Sequence, residues 1–217
     1  MLSDGTPDAE TSGRRGAESA GSLARRAGRN PQSLVARPIL IITGDAGESF
    51  ETLYARQRLL EAGFTPRIAA PSKRRLNLVI HDFEPGWDTY IEKPGYVAES
   101  DLTFDEAKVA DYEAILVLGG RAPEYLRHDT RVLALVRGFD AAGKWVFAIC
   151  HGVQILAAAG LCKGKRVTAY EHCRWEIEAG GGDYVTTEQA VRDGRIVTGQ
   201  TWQSHPEFYR LVFGCLG

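Results

Sequence analysis

Four consecutive aliphatic residues, Ile39-Leu40-Ile41-Ile42, follow Pro38 and give way to Thr43-Gly44. A run this short, with no polar alternation, reads as a strand buried on both faces, and such strands belong to parallel sheets covered by helices. The next segment agrees. Phe50, Leu53, Tyr54, Gln57, Leu60 and Glu61 recur at helical spacing over 49–62, Gly63 supplies a stop, and 65–70 reads as a second strand. The alternation returns with strands over 114–118, 145–149 and 195–198 and helices near 130–142, 151–159 and 205–213. It predicts an α/β fold, a doubly wound parallel sheet sandwiched by helices. Residues 76–99 break the alternation and read as an inserted hairpin or cover over the sheet, the kind of interruption that carries binding surfaces.

The 217 residues suffice for one well-filled core. Residues 1–37 are rich in Gly, Ser, Ala and Arg and poor in large apolar side chains, so a disordered tail is expected ahead of one domain over 38–217. With 26 Lys and Arg against 28 Asp and Glu, the formal net charge is -2. That balance offers no broad attraction for nucleic acid or anionic lipid, so a small-molecule or protein partner is expected. Cys150, Cys162, Cys173 and Cys215 have neither the C-x-x-C spacing of a metal clip nor the density of a disulfide framework. A reducing, cytoplasmic setting without a metal is the expectation. No apolar stretch approaches the ~20 residues of a membrane span, and the first residues lack the pattern of a secretion signal.

The segment Trp145-Val146-Phe147-Ala148-Ile149-Cys150-His151-Gly152 carries the chemistry. An apolar strand runs into a helix through one reactive residue flanked by a small one, the layout of a nucleophile elbow with Cys in place of Ser. Such a turn holds the sulfur at the sheet's carboxyl edge, where the amino end of the next helix favours the thiolate. A buried structural cysteine is the competing interpretation. Gly119-Gly120 closes the preceding strand, and paired glycines there let backbone N–H groups, with that of His151, face an oxyanion. They serve an ordinary turn equally well.

Glu48 follows the first strand, on the edge where ligands bind in open parallel sheets. A carboxyl beside a thiolate is expected to keep its proton and act as an acid or base, and an acid at a helix start is the alternative. His151 is a candidate base from the first turn of its helix. His205 with Glu207 is another, because the two could complete a nucleophile–base–orienter set with Cys150.

Together, Gly44-Asp45 with Glu48, His81-Asp82-Phe83-Glu84, Tyr90-Ile91-Glu92-Lys93-Pro94-Gly95, Gly119-Gly120-Arg121-Ala122-Pro123-Glu124-Tyr125 and Ala148-Ile149-Cys150-His151-Gly152 resemble the ThiJ/PfpI superfamily. Within it they look most like the branch of PfpI-type peptidases and plant cofactor-independent glyoxalases. The resemblance covers residues 38–217 and implies a flavodoxin-like, class I glutaminase-like sandwich in a homo-oligomer. It implies Cys150 as nucleophile, Glu48 as the protonated carboxyl beside it, and Glu92 as the residue that orients His151. Val153 departs from the Pro that many relatives carry after Cys-His-Gly.

The expected activity is a glyoxalase without glutathione, metal or other cofactor, converting methylglyoxal or glyoxal to a hydroxy acid through a Cys150 adduct. A cysteine peptidase or amidase is the alternative among enzymes, and a redox sensor or chaperone-like stress protein is the alternative of another class.

Overall fold

Burial, not propensity alone, makes the first strand: Ile39, Leu40, Ile41 and Ile42 are each fully enclosed. The computed structural model describes residues 37–217. Its strands are β1 (Pro38–Ile42), β2 (Thr65–Ala70), β3 (Arg75–Asp82), β4 (Ile91–Glu99), β5 (Leu102–Thr103), β6 (Ala114–Val117), β7 (Trp145–Ile149), β8 (Arg166–Val167), β9 (Asp183–Tyr184), β10 (Ala190–Asp193) and β11 (Ile196–Gly199). Its α-helices are α1 (Ser49–Glu61), α2 (Ala122–Leu126), α3 (Thr130–Ala141), α4 (Val153–Ala159), α5 (Arg174–Ala179) and α6 (His205–Leu216).

The main sheet runs β10-β11-β7-β6-β1-β2-β5 and is parallel except at β10, which pairs antiparallel with β11. β1 lies between β2 and β6, and β6 between β1 and β7, so the strands that precede the candidate site are neighbours at the middle of the sheet. Their carboxyl ends therefore open side by side. α1 and α6 meet through Tyr54, His205 and Tyr209, while α3 packs against α4. The layered architecture expected from sequence is present.

The segment over 76–99 is a hairpin. β3 pairs with β4 as a separate antiparallel ribbon with a register shift between Asn77 and Val79. Backbone bonds from Ala46 to the Asn77 carbonyl (2.7 Å) and from Val79 to the Gly47 carbonyl (2.9 Å) stitch it to the loop after β1. The tail expected over 1–37 lies outside the described residues except for Arg37, which pairs with Glu113 at 3.1 Å. Among the described residues no helix is long and apolar enough to cross a membrane.

Gly152 sets how closely the elbow sits on the sheet. A Cβ built there would stand 2.5 Å from the Val117 carbonyl oxygen and 3.0 Å from that of Leu118. Gly152→Ala should therefore push α4 away from β6 and lower stability by about 1–3 kcal/mol. An unchanged urea midpoint would contradict that packing.

Candidate active site

Three strand ends build the site. After β7 the chain turns through Cys150, whose φ of 57° lies in the left-handed region that side chains other than glycine seldom occupy. A single 3₁₀ turn, Cys150–Gly152, then leads into α4. The strained turn lifts the sulfur off the sheet edge, and backbone N–H groups of His151 and Gly120 point at it. Gly120 has a φ of 76°, and a Cβ there would stand 2.2 Å from the Glu48 nitrogen. Only glycine lets the loops after β1 and β6 lie this close. Ala46 completes their contact, its carbonyl accepting from the N–H groups of Arg121 (2.7 Å) and Ala122 (3.1 Å).

The carboxyl beside the sulfur is that of Glu51. It is fully buried on the first turn of α1, and its Oε2 accepts from the Gly119 N–H at 2.6 Å. The same carboxyl faces the Cys150 thiol. Its Oε1 is buried with no hydrogen-bond partner. An ionised oxygen left so would be costly, and burial together with neighbouring Glu48 holds the Glu51 carboxyl well above the usual range.

Glu48, expected at the sulfur from sequence, instead caps α1, its Oε2 accepting from the Glu51 N–H at 2.6 Å. Burial raises its pKa against several backbone N–H groups, that of His81 among them. The glycine pair also divides its work: Gly119 donates to Glu51, and Gly120 faces the sulfur.

His151 Nδ1 lies 3.2 Å from Cys150 Sγ. Burial, with smaller contributions from His81 and His172, brings the His151 pKa down to about 3, so the ring is neutral near pH 7. Cys150 itself is only 4% exposed. Burial pushes its thiol well up, and an ionised Glu51 would push it further. The N–H groups of His151 and Gly120 oppose that dryness without outweighing it, so burial works against the enriched thiolate expected from sequence.

Two expected partners lie elsewhere. Glu92 does not orient His151. One of its oxygens accepts from His81 Nε2 at 3.2 Å, and both pair with the Arg121 guanidinium at 3.0 Å. His205 does not join Glu207 or the sulfur. It stacks on Tyr54 at 4.6 Å between ring centroids, with neither ring nitrogen hydrogen-bonded. Cys162 and Cys173 are free and buried, and Cys215 is half-buried. Among the described residues no cluster of three His, Cys, Asp or Glu side chains suits a metal.

The hairpin roofs the site. Tyr90 stacks on His81 at 3.8 Å and turns its edge to His151 at 5.5 Å, while Tyr170 closes from another side at 4.9 Å. Trp202 Nε1 ties the roof down by donating to the His81 carbonyl at 2.9 Å. A cavity of about 430 Å³ lies along the Glu92–Arg121 pair, between the hairpin and the loops after β1 and β6.

Glu51 has no place among the residues expected from sequence, and His81 only one within a family-like motif, without a role. Glu51 had one signal, its place three residues after Glu48 and so on the same side of a helix.

The family model described as DJ-1/PfpI family matches residues 37–213. The chain belongs to the DJ-1/PfpI family. It is 40% identical over 185 residues to protein DJ-1 homolog D of Arabidopsis thaliana, covering 82% of this chain and 47% of that one. It is 35% identical over 178 residues to the deglycase PfpI of Pyrococcus furiosus, covering 80% and 98%. The chain thus spans about half the length of the plant relative and nearly all of the archaeal one. The crystal structure of a ThiJ/PfpI domain protein from Brachyspira murdochii shares the fold with a TM-score of 0.70 at 22% identity, covering 83% of this chain and 95% of that one.

Buried His205 should make this fold sensitive to acid. Burial takes its pKa down to about 4, against 6.5 when exposed. As pH falls the unfolded chain takes up this proton first, so stability is full above pH ~7 and falls by roughly 3 kcal/mol on approaching pH ~4. His205→Phe keeps a stacked ring and should remove that share of the loss in urea titrations. Equal losses in the two chains would contradict the assignment.

Proposed function

We propose that this chain is a cysteine-dependent glyoxalase acting on small 2-oxoaldehydes such as methylglyoxal. The observation that carries the proposal is the buried constellation at the elbow: Cys150 Sγ at 3.2 Å from His151 Nδ1, with the Glu51 carboxyl beside it and two backbone N–H groups aimed at it. The deglycase names of several archaeal and bacterial relatives support chemistry on such carbonyl compounds.

Sγ attacks the aldehyde carbon as the thiol proton passes to His151 Nδ1, and the Glu51 carboxyl protonates the new alkoxide. His151 then returns its proton to Glu51, leaving a neutral hemithioacetal. The N–H groups of Gly120 and His151 steady the oxygen while charge is on it. Hydrogen moves from the first carbon to the second through an enediol, giving a thioester, and water releases the hydroxy acid and restores the thiol. Glu48 acts indirectly, since its charge helps keep Glu51 protonated.

Enclosure of the sulfur under the hairpin favours a two- or three-carbon substrate over a peptide, which needs an open groove. Wild-type protein should form lactate from methylglyoxal in chelator-treated buffer, and Cys150→Ala should fall to the buffer rate. Near-normal turnover by Cys150→Ala would refute the mechanism. Oxidation of Cys150 by mild peroxide, without turnover of any dicarbonyl, would favour redox sensing instead.

A further inference from the structure

The hairpin brings a second histidine against His151, already paired with a carboxylate. His81 is 2% exposed. Its Nε2 lies 3.2 Å from Glu92 Oε2, and Glu92 is held by Arg121 through two contacts of 3.0 Å. Arg121 and His81 keep the Glu92 carboxyl below its ordinary range and so ionised. An ionised carboxylate cannot donate, so the His81 ring must place its proton on Nε2, leaving the Nδ1 lone pair free. That Nδ1 is buried and has no hydrogen-bond partner.

The ring stands 5.7 Å from the His151 ring, centroid to centroid, and meets it edge to face. His151 Nδ1 in turn is 3.2 Å from Sγ. His81 therefore packs against the ring that contacts Sγ, next to the position of an adduct on Cys150. It has the arrangement of a general base with its orienting carboxylate: one nitrogen donates to the acid, and the other is unspent.

We propose that His81, oriented by Glu92, is the general base that carries hydrogen between the two carbons of the Cys150-bound adduct. The inference rests on the glyoxalase reading and names the residue for its central step. His81 Nδ1 takes the proton from the sulfur-bearing carbon as that C–H bond breaks, and the electron pair forms the carbon–carbon double bond of the enediol. The neighbouring ketone oxygen takes its proton from the Glu51 carboxyl. The His81 imidazolium, stabilised by Glu92, then gives its proton to the second carbon. The hydroxyl on the first carbon returns a proton to Glu51 and becomes the thioester carbonyl. Glu51 regains its proton and His81 Nδ1 its lone pair, and no oxidant or reductant is used.

The roles of the two histidines divide accordingly. His151 handles the thiol proton, for which its 3.2 Å contact suits it. His81 has no contact with the sulfur among the described hydrogen bonds and is free for the carbon acid.

The test is steady-state and quenched-flow kinetics of the full chain with methylglyoxal, for wild type, His81→Gln and Glu92→Gln. Glutamine at 81 can still donate to Glu92 but has no basic nitrogen. His81→Gln should lower kcat by about 10²–10⁴-fold with KM little changed. Mass spectrometry should find the Cys150 adduct forming at the wild-type rate and accumulating. Glu92→Gln leaves the stacked rings in place and should lower kcat by roughly tenfold or more, again with adduct retained.

A kcat within a few-fold of wild type in either folded variant, or loss of adduct formation along with turnover, would overturn the assignment. A wild-type chain that makes no hydroxy acid would instead overturn the glyoxalase reading itself.

Discussion

A carboxyl group buried under the carboxyl edge of the sheet is the constraint around which the site is arranged. Glu51 projects from the first turn of α1, accepts from the Gly119 N–H and faces the Cys150 thiol, so one side chain joins the loops after β1, β6 and β7. Removing a carboxylate from water is expensive unless it keeps its proton or finds compensating donors. With one oxygen satisfied by Gly119 and the other unpartnered, the proton is the cheaper solution. The strained backbone at Cys150 and the closeness of Gly120 to Glu48 both serve that three-loop junction.

The fold was legible because its signals are local. The apolar runs of β1 and β7 and the alternation of strand and helix depend on burial that each segment reveals by itself. α1 shows where this stops. Its large residues recur at helical spacing, yet Phe50 is 48% and Leu60 54% exposed, and the side chains the helix buries are those of Ser49, Glu51, Thr52, Ala55 and Leu59. Small side chains let the helix come close to the strands, and that close approach is what buries Glu51. A hydrophobic period cannot report it.

The elbow, with Cys150 and His151, was visible from the strand-to-helix junction. The partners of those residues were not, since they come from elements distant in sequence whose register the hairpin decides. One step along an antiparallel ribbon turns a side chain to the other face. In the observed register His81 stands opposite Glu92, which gives Glu92 to His81 and leaves His151 without a carboxylate among its described hydrogen bonds. His205 was drawn toward catalysis by its neighbour Glu207, but an aromatic cluster with Phe50, Tyr54 and Tyr209 takes it up.

The account stands on the protonation of Glu51 next to an uncharged thiol, and infrared difference spectroscopy between wild type and Glu51→Gln at neutral pH tests it most directly. The wild type should display the carbonyl band of a buried carboxylic acid, sensitive to exchange into heavy water and missing from the variant. If the difference spectrum contains only the paired bands of an ionised carboxylate, Glu51 has no proton to give, and the chemistry assigned to this site is wrong.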